Sequence, residues 1–87
     1  MVNNKNKYID KKIRKYVIAN TDGKYLRKDM LSGKYYFIED IEAATKAERL
    51  SVAKDFLKYY YFDTNMLNNE LVIIPVDITY ELIDETN

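Results

Sequence analysis

The chain contains no cysteine and no histidine. The first absence removes disulfide frameworks and Cys-type zinc sites. The second removes the commonest general base and the commonest metal ligand. Glycine occurs only at Gly23 and Gly33, too few and too far apart for a loop that cradles phosphate. The only serines are Ser32, beside a turn glycine, and Ser51, within a helical pattern, and neither has a histidine to recruit. No apolar run approaches the roughly 18–20 residues of a membrane span. The opening "MVNNKNKYIDKKIRK" is basic but lacks the apolar stretch of a signal peptide. We therefore expect a cytoplasmic location and no membrane contact.

What remains for catalysis is carboxylate. Glu39, Asp40 and Glu42 form one cluster, and Asp84 and Glu85 another. Paired carboxylates can do acid–base work or hold a hard metal. Both clusters fall at the ends of elements, where acidic residues commonly start helices or solubilise. The expectation is a protein that is not an enzyme and needs no metal or cofactor.

With 87 residues the chain forms one domain, and one this size hides only about 60–65% of its unfolded surface, enough for a thin core and no deep cleft. Net charge is zero but segregated. Residues 1–34 carry ten Lys/Arg against Asp10, Asp22 and Asp29; residues 35–87 carry four against eleven Asp/Glu. Such a split either marks a nucleic-acid face and a face that mimics nucleic acid, or simply neutralises itself on folding.

Residues 1–13 read as a flexible or weakly ordered basic segment, frayed or forming a short helix, ahead of a single domain at 14–87. "KYVIAN" is β-branched and aromatic, and "KYLRKD" resumes the extended pattern after "TDG". Asp22-Gly23 predicts a type I′ hairpin in which Thr21 faces Lys24. Ser32-Gly33 breaks the chain before "KYYFIED", completing a three-strand meander. Ala47, Leu50, Ala53, Phe56, Leu57 and Tyr60 then recur at spacings of three and four, which predicts an amphipathic helix starting between Thr45 and Arg49. "IEAAT" before it predicts a separate helical turn.

"LVIIPVDITYEL" is the clearest strand. Val72, Ile74, Val76, Ile78, Tyr80 and Leu82 make a continuous apolar face, the expected core side, and the alternate residues turn polar toward the end. Pro75 cannot donate to a ladder, so we place this strand at an edge despite its length. The fold class is α+β: a small, mostly antiparallel sheet in β-β-β-α-β order with one amphipathic helix on one face.

Nine tyrosines stand out. In "LKYYYFDT", Tyr60 continues the apolar stripe, which leaves Tyr59 and Tyr61 about 100° to either side of it. Phe62 is expected to fold back over the helix end. Tyrosines at the helix shoulder either seal the rim of a thin core or belong to a binding face, since tyrosine offers rigid area with a polar handle. The acidic last strand, with Asp77, Glu81, Asp84 and Glu85, offers an edge to a partner or guards it against aggregation. Tyr59, Tyr61 and these four acids form the candidate partner-binding set. A second candidate set is Tyr25, Arg27, Lys28 and Lys34, aromatic and basic residues interleaved on the meander as in surfaces that stack and clasp single-stranded nucleic acid. Three or four phosphate contacts there would give a log–log salt slope of about −3.

The order "KYVIANTDGKYLRKD … GKYYFIEDIEAAT … AKDFLKYY … LVIIPVDITYEL" over residues 15–83 resembles small accessory proteins of phages and prophages of low-GC Gram-positive bacteria. The likeness lies in pattern and composition. It implies a non-enzymatic protein of the bacterial host cytoplasm that binds one host protein and blocks it, as anti-CRISPR inhibitors do. The alternative is the small nucleic-acid-binding domain. A homodimer through the edge strand is compatible with either.

Overall fold

The computed structural model describes residues 9–66 and 70–81. Among these residues four strands form one sheet: β1 (Ile9–Ala19), β2 (Tyr25–Lys28), β3 (Tyr35–Ile38) and β4 (Val72–Glu81). A 3₁₀ turn (Ile41–Ala43) and one helix, α1 (Leu50–Thr64), separate β3 from β4. The sheet order is β3-β2-β1-β4 and every pairing is antiparallel. The α+β class and the helix on one sheet face agree with the sequence reading. β1 begins at Ile9, so residues 9–13, expected outside the domain, are strand; they pair with the end of β4.

The first hairpin also differs from expectation. Gly23 has positive φ (78°) but Asp22 does not, and the strands close at Asn20 and Lys24 rather than Thr21 and Lys24. Asn20 N–H donates to the Lys24 carbonyl (2.9 Å) around a three-residue loop, and Asn20 Oδ1 accepts from the N–H groups of Asp22 and Lys24. The asparagine side chain satisfies donors that a type I′ turn would leave to the opposite strand, which favours a three-residue turn ending in glycine.

β1 and β2 pair only at Ala19↔Tyr25 and then diverge. The chain after the 3₁₀ turn fills the gap. Thr45 N–H donates to the Leu26 carbonyl (3.1 Å), Thr45 Oγ1 accepts from Lys28 N–H (2.9 Å), and Tyr16 and Ala47 exchange a pair of backbone bonds (2.9 Å each). From this splice α1 starts behind Arg49 in extended conformation, and it ends at Asn65 in the left-handed conformation. Its apolar stripe seats Ala53 and Tyr60 in the interior. Ile18, Leu26, Tyr60 and Leu71 form the core, with Tyr35, Phe37, Phe56, Leu57, Tyr61 and Ile73 packed around them. Tyr60 stands edge-on to Tyr35 (5.1 Å) and Phe37 (5.9 Å), which ties the helix end to β3.

The helix therefore covers the Leu71 and Ile73 side of β4. The row Val72, Ile74, Val76, Ile78 and Tyr80, expected to be the core side, lies on the opposite face, where Val72, Ile74 and Tyr80 are exposed and Val76 and Ile78 half-buried. Leu82 lies outside the described residues. Both faces are apolar where β4 begins, so alternation alone did not say which would receive the helix; Ile18, Leu26 and Phe37 on the neighbouring strands did. The 3₁₀ turn partly covers the second face: Arg27 Nη1 donates to the Ala43 carbonyl (2.7 Å), and Ile41 shares an open depression with Val76 and Ile78.

β4 is an edge strand, as Pro75 required. Because Tyr16 points its N–H and C=O at Ala47, the Tyr16↔Pro75 pair makes no bond across the β1–β4 ladder. The missing N–H of Pro75 thus faces the outer edge and costs the sheet nothing.

Candidate protein-binding surfaces

The sheet separates what the sequence grouped. Tyr60 anchors the aromatic end of α1 over β3, at one edge, whereas Asp77 lies on β4, at the other. Tyr59 is 60% exposed. Tyr61 is half-buried and packs against the core, its ring 5.7 Å from Tyr60, and this burial is the main cause that pushes its phenol up. So Tyr59 is a surface residue and Tyr61 a core rim; they do not share a face. Asp77 pairs with Arg14, its cross-strand neighbour, through two guanidinium hydrogen bonds that hold its carboxyl below the ordinary range. The Glu81 side chain, Asp84 and Glu85 lie outside the described side chains.

The basic set also divides. Tyr25 and Arg27 occupy the face away from the helix, beside Ile38 and Tyr36 of β3. Lys28 alternates to the helix side, with Nζ 5.3 Å from the centroid of Tyr35. Lys34 closes the second hairpin, where its carbonyl accepts from Asp29 N–H (2.8 Å). Arg27 already spends one donor on Ala43. Two of the four residues share a face, and four phosphate contacts from one strand of nucleic acid do not follow from this placement.

Two surfaces escaped the sequence reading. Phe62 does not fold back over the helix end; it is 83% exposed. With Val52 and Tyr59 it forms a second apolar stripe, at spacings of seven and three, within about 80° of the helix circumference. The buried stripe is already satisfied by Ala53, Phe56, Leu57 and Tyr60, so these side chains have nothing left to cover. The signal was present as a second helical period in "SVAKDFLKYYYF", masked by the run of tyrosines. The other surface is the tip of the second hairpin. Asp29 accepts from Leu31 N–H and Ser32 Oγ, which draws its carboxyl below the ordinary range and holds out Met30 and Leu31, the latter 98% exposed.

Tyr35 joins strand to helix. Its hydroxyl donates to Asp63 (2.6 Å), and burial together with that carboxylate pushes its pKa up to about 12. Among the described residues no group of three or more acidic side chains is placed to hold a metal ion, and no helix is long and apolar enough to cross a membrane. No family model matches the chain, and no curated protein or solved structure does either.

Proposed function

We propose that this chain is a non-catalytic protein-binding module of the phage accessory kind, which occupies a surface of a host protein, a defence or nucleic-acid-processing enzyme, in the manner of anti-CRISPR inhibitors. The observation that carries the binding role is the outward stripe of Val52, Tyr59 and Phe62 on α1. A helix that has already buried one apolar stripe and exposes a second matches recognition of a helix face by an apolar groove. Large aromatics on a rigid element make the strongest anchors at such contacts. The inhibitory role rests on the pattern resemblance alone. A single large exposed side chain is ordinary; three in register on one helix are not.

Affinity capture of the tagged protein from bacterial lysate, with and without nuclease, tests the reading. A stoichiometric partner that survives nuclease and is lost from a Tyr59→Ala/Phe62→Ala variant is the expected result. Capture that disappears on nuclease treatment, or that persists in this variant and is lost with Arg27→Glu, would instead favour nucleic-acid binding through Tyr25, Arg27 and Tyr36.

A further inference from the structure

The sheet has three open edges among the described residues, and they are not equivalent. β3 is four residues long, too short to template much pairing. The part of β1 that has diverged from β2 carries Lys12 and Lys15, and lysine along an edge blunts pairing with a second copy. β4 is different. Even-numbered residues of β4 point their N–H and C=O groups at β1, so Asp77, Thr79 and Glu81 point theirs outward, and Pro75 interrupts the outward donors at one place. Among the described residues the uninterrupted outward row thereby runs from the Pro75 carbonyl to Glu81, one short segment with a defined start.

We propose that this segment pairs with itself: two copies join antiparallel along β4, about a two-fold axis at Ile78, into one continuous sheet. The sequence selects that register. Centring on Asp77 would set two Asp77 carboxylates against each other, and centring on Thr79 would set Asp77 against Glu81, like charges in both cases. Centring on Val76 would oppose Asp77 to Pro75 and forfeit donors in both copies. Centring on Ile78 sets Asp77 against Thr79, whose hydroxyl can donate, and sets Val76 against Tyr80. The Glu81 N–H then meets the Pro75 carbonyl, where only an acceptor is offered.

The same register explains the surface. Val76, Ile78 and Tyr80 lie on the face away from the helix, and Tyr80 is 53% exposed. Beside Val76 is the open depression lined by Ile41, Glu42, Lys46, Val76, Asp77 and Ile78. Tyr80 of the second copy, opposite Val76, enters that depression, and the exchange is reciprocal across the axis. A six-residue edge contact with one ring on each side is small, so the dimer dissociates in the micromolar range. The helix stripe takes no part, and the two interfaces can fail independently.

Because the chain has no cysteine, a single introduced thiol reports the axis without background. Ile78 opposes its own copy as a pair without backbone bonds, with Cα atoms about 4.5 Å apart, within disulfide range. Ile78→Cys is expected to form a disulfide-linked dimer under mild oxidation, whereas Ile74→Cys, on the same face but beyond the proline, stays monomeric. By sedimentation, wild type should associate between low micromolar and millimolar protein. Thr79→Glu, which opposes a second carboxylate to Asp77, should weaken association about tenfold at low salt. Tyr59→Ala/Phe62→Ala should leave it unchanged.

A wild-type chain that remains monomeric at millimolar concentration overturns the proposal. So does equal cross-linking at positions 74 and 78, or association indifferent to Thr79→Glu. Loss of association in the helix variant would place the second copy on α1 instead. The sedimentation arms do not depend on the cysteine variants folding.

Discussion

One strand pair, β1 with β4, runs through two different environments. At one end Val17, Ile18 and Ala19 are all buried although they alternate between faces, with Ile18 in the core that α1 covers. At the other end, Lys12 to Lys15 of β1 and Val76 to Tyr80 of β4 continue the ladder with the same regular register, yet no side chain there is buried. The paired length is about 33 Å at strand spacing. A 15-residue helix is about 22 Å long, and this one ends over β3 rather than running along β1. It cannot cover the whole pair. Alternation prepares a strand for burial on one face, but a covering element delivers it. A two-stranded ribbon with one apolar face is marginal in water by itself, which is why the arm is the place to look for a partner.

Deleting apolar volume from each half should separate them most clearly. Leu26, fully buried under the helix, should cost about 3 kcal/mol as Leu26→Ala, while Val76→Ala in the half-buried arm should cost under about 1 kcal/mol, both read from urea unfolding. Equal costs would mean that the arm belongs to the core.

A smaller effect is expected where strand meets helix. Tyr35 is the phenol whose pKa stands near 12, from burial first and the Asp63 carboxylate second. A raised folded pKa stabilises below the ordinary tyrosine value of about 10 and loses that contribution as pH rises through the folded value. Ultraviolet titration should therefore show tyrosine ionisation extending to about pH 12, where Tyr35 releases its proton. Asp63→Asn should lower its midpoint without restoring it fully, because burial remains.

The smallest effect lies in the arm. Asp77 is held low chiefly by its hydrogen bonds from Arg14. Its contribution is present above the ordinary carboxylate range and is lost as pH falls through the depressed value. Carboxyl chemical shifts followed with pH should place Asp77 below a free aspartate, and Arg14→Gln should bring it back. The exposure of both partners keeps any effect on stability slight. An Asp77 that titrates normally in wild type would show that the arm does not hold its cross-strand register in solution.

Much of the fold was legible in the residues. The meander, the helical turn at Ile41–Ala43, the helix and the edge position of Pro75 all follow from turn residues, period and a missing donor. The N-terminal part of β1 was not, because "IDKKIRK" is too charged to look like strand until β4 is there to pair with it. The candidate sites were legible only in part. Tyr59 was recognisable as a shoulder residue, but Tyr61 required knowledge of Tyr60 and the core before it could be assigned to the rim. Phe62 was misread because its neighbours suggested a cap, whereas the helix continues two residues beyond it.

Local chemistry determined where this chain turns, where it winds and which positions along each strand are apolar, because those depend on glycine, proline, side-chain branching and spacing between near neighbours. Tertiary structure alone decided which apolar row is covered. The helix reaches one face through a splice between two diverging strands, and the bonds of Thr45 and Ala47 that make the splice join residues far apart in the chain. The row on Val72, Ile74 and Tyr80 is left open because no covering element among the described residues reaches it, although nothing in those residues themselves distinguishes them from a core.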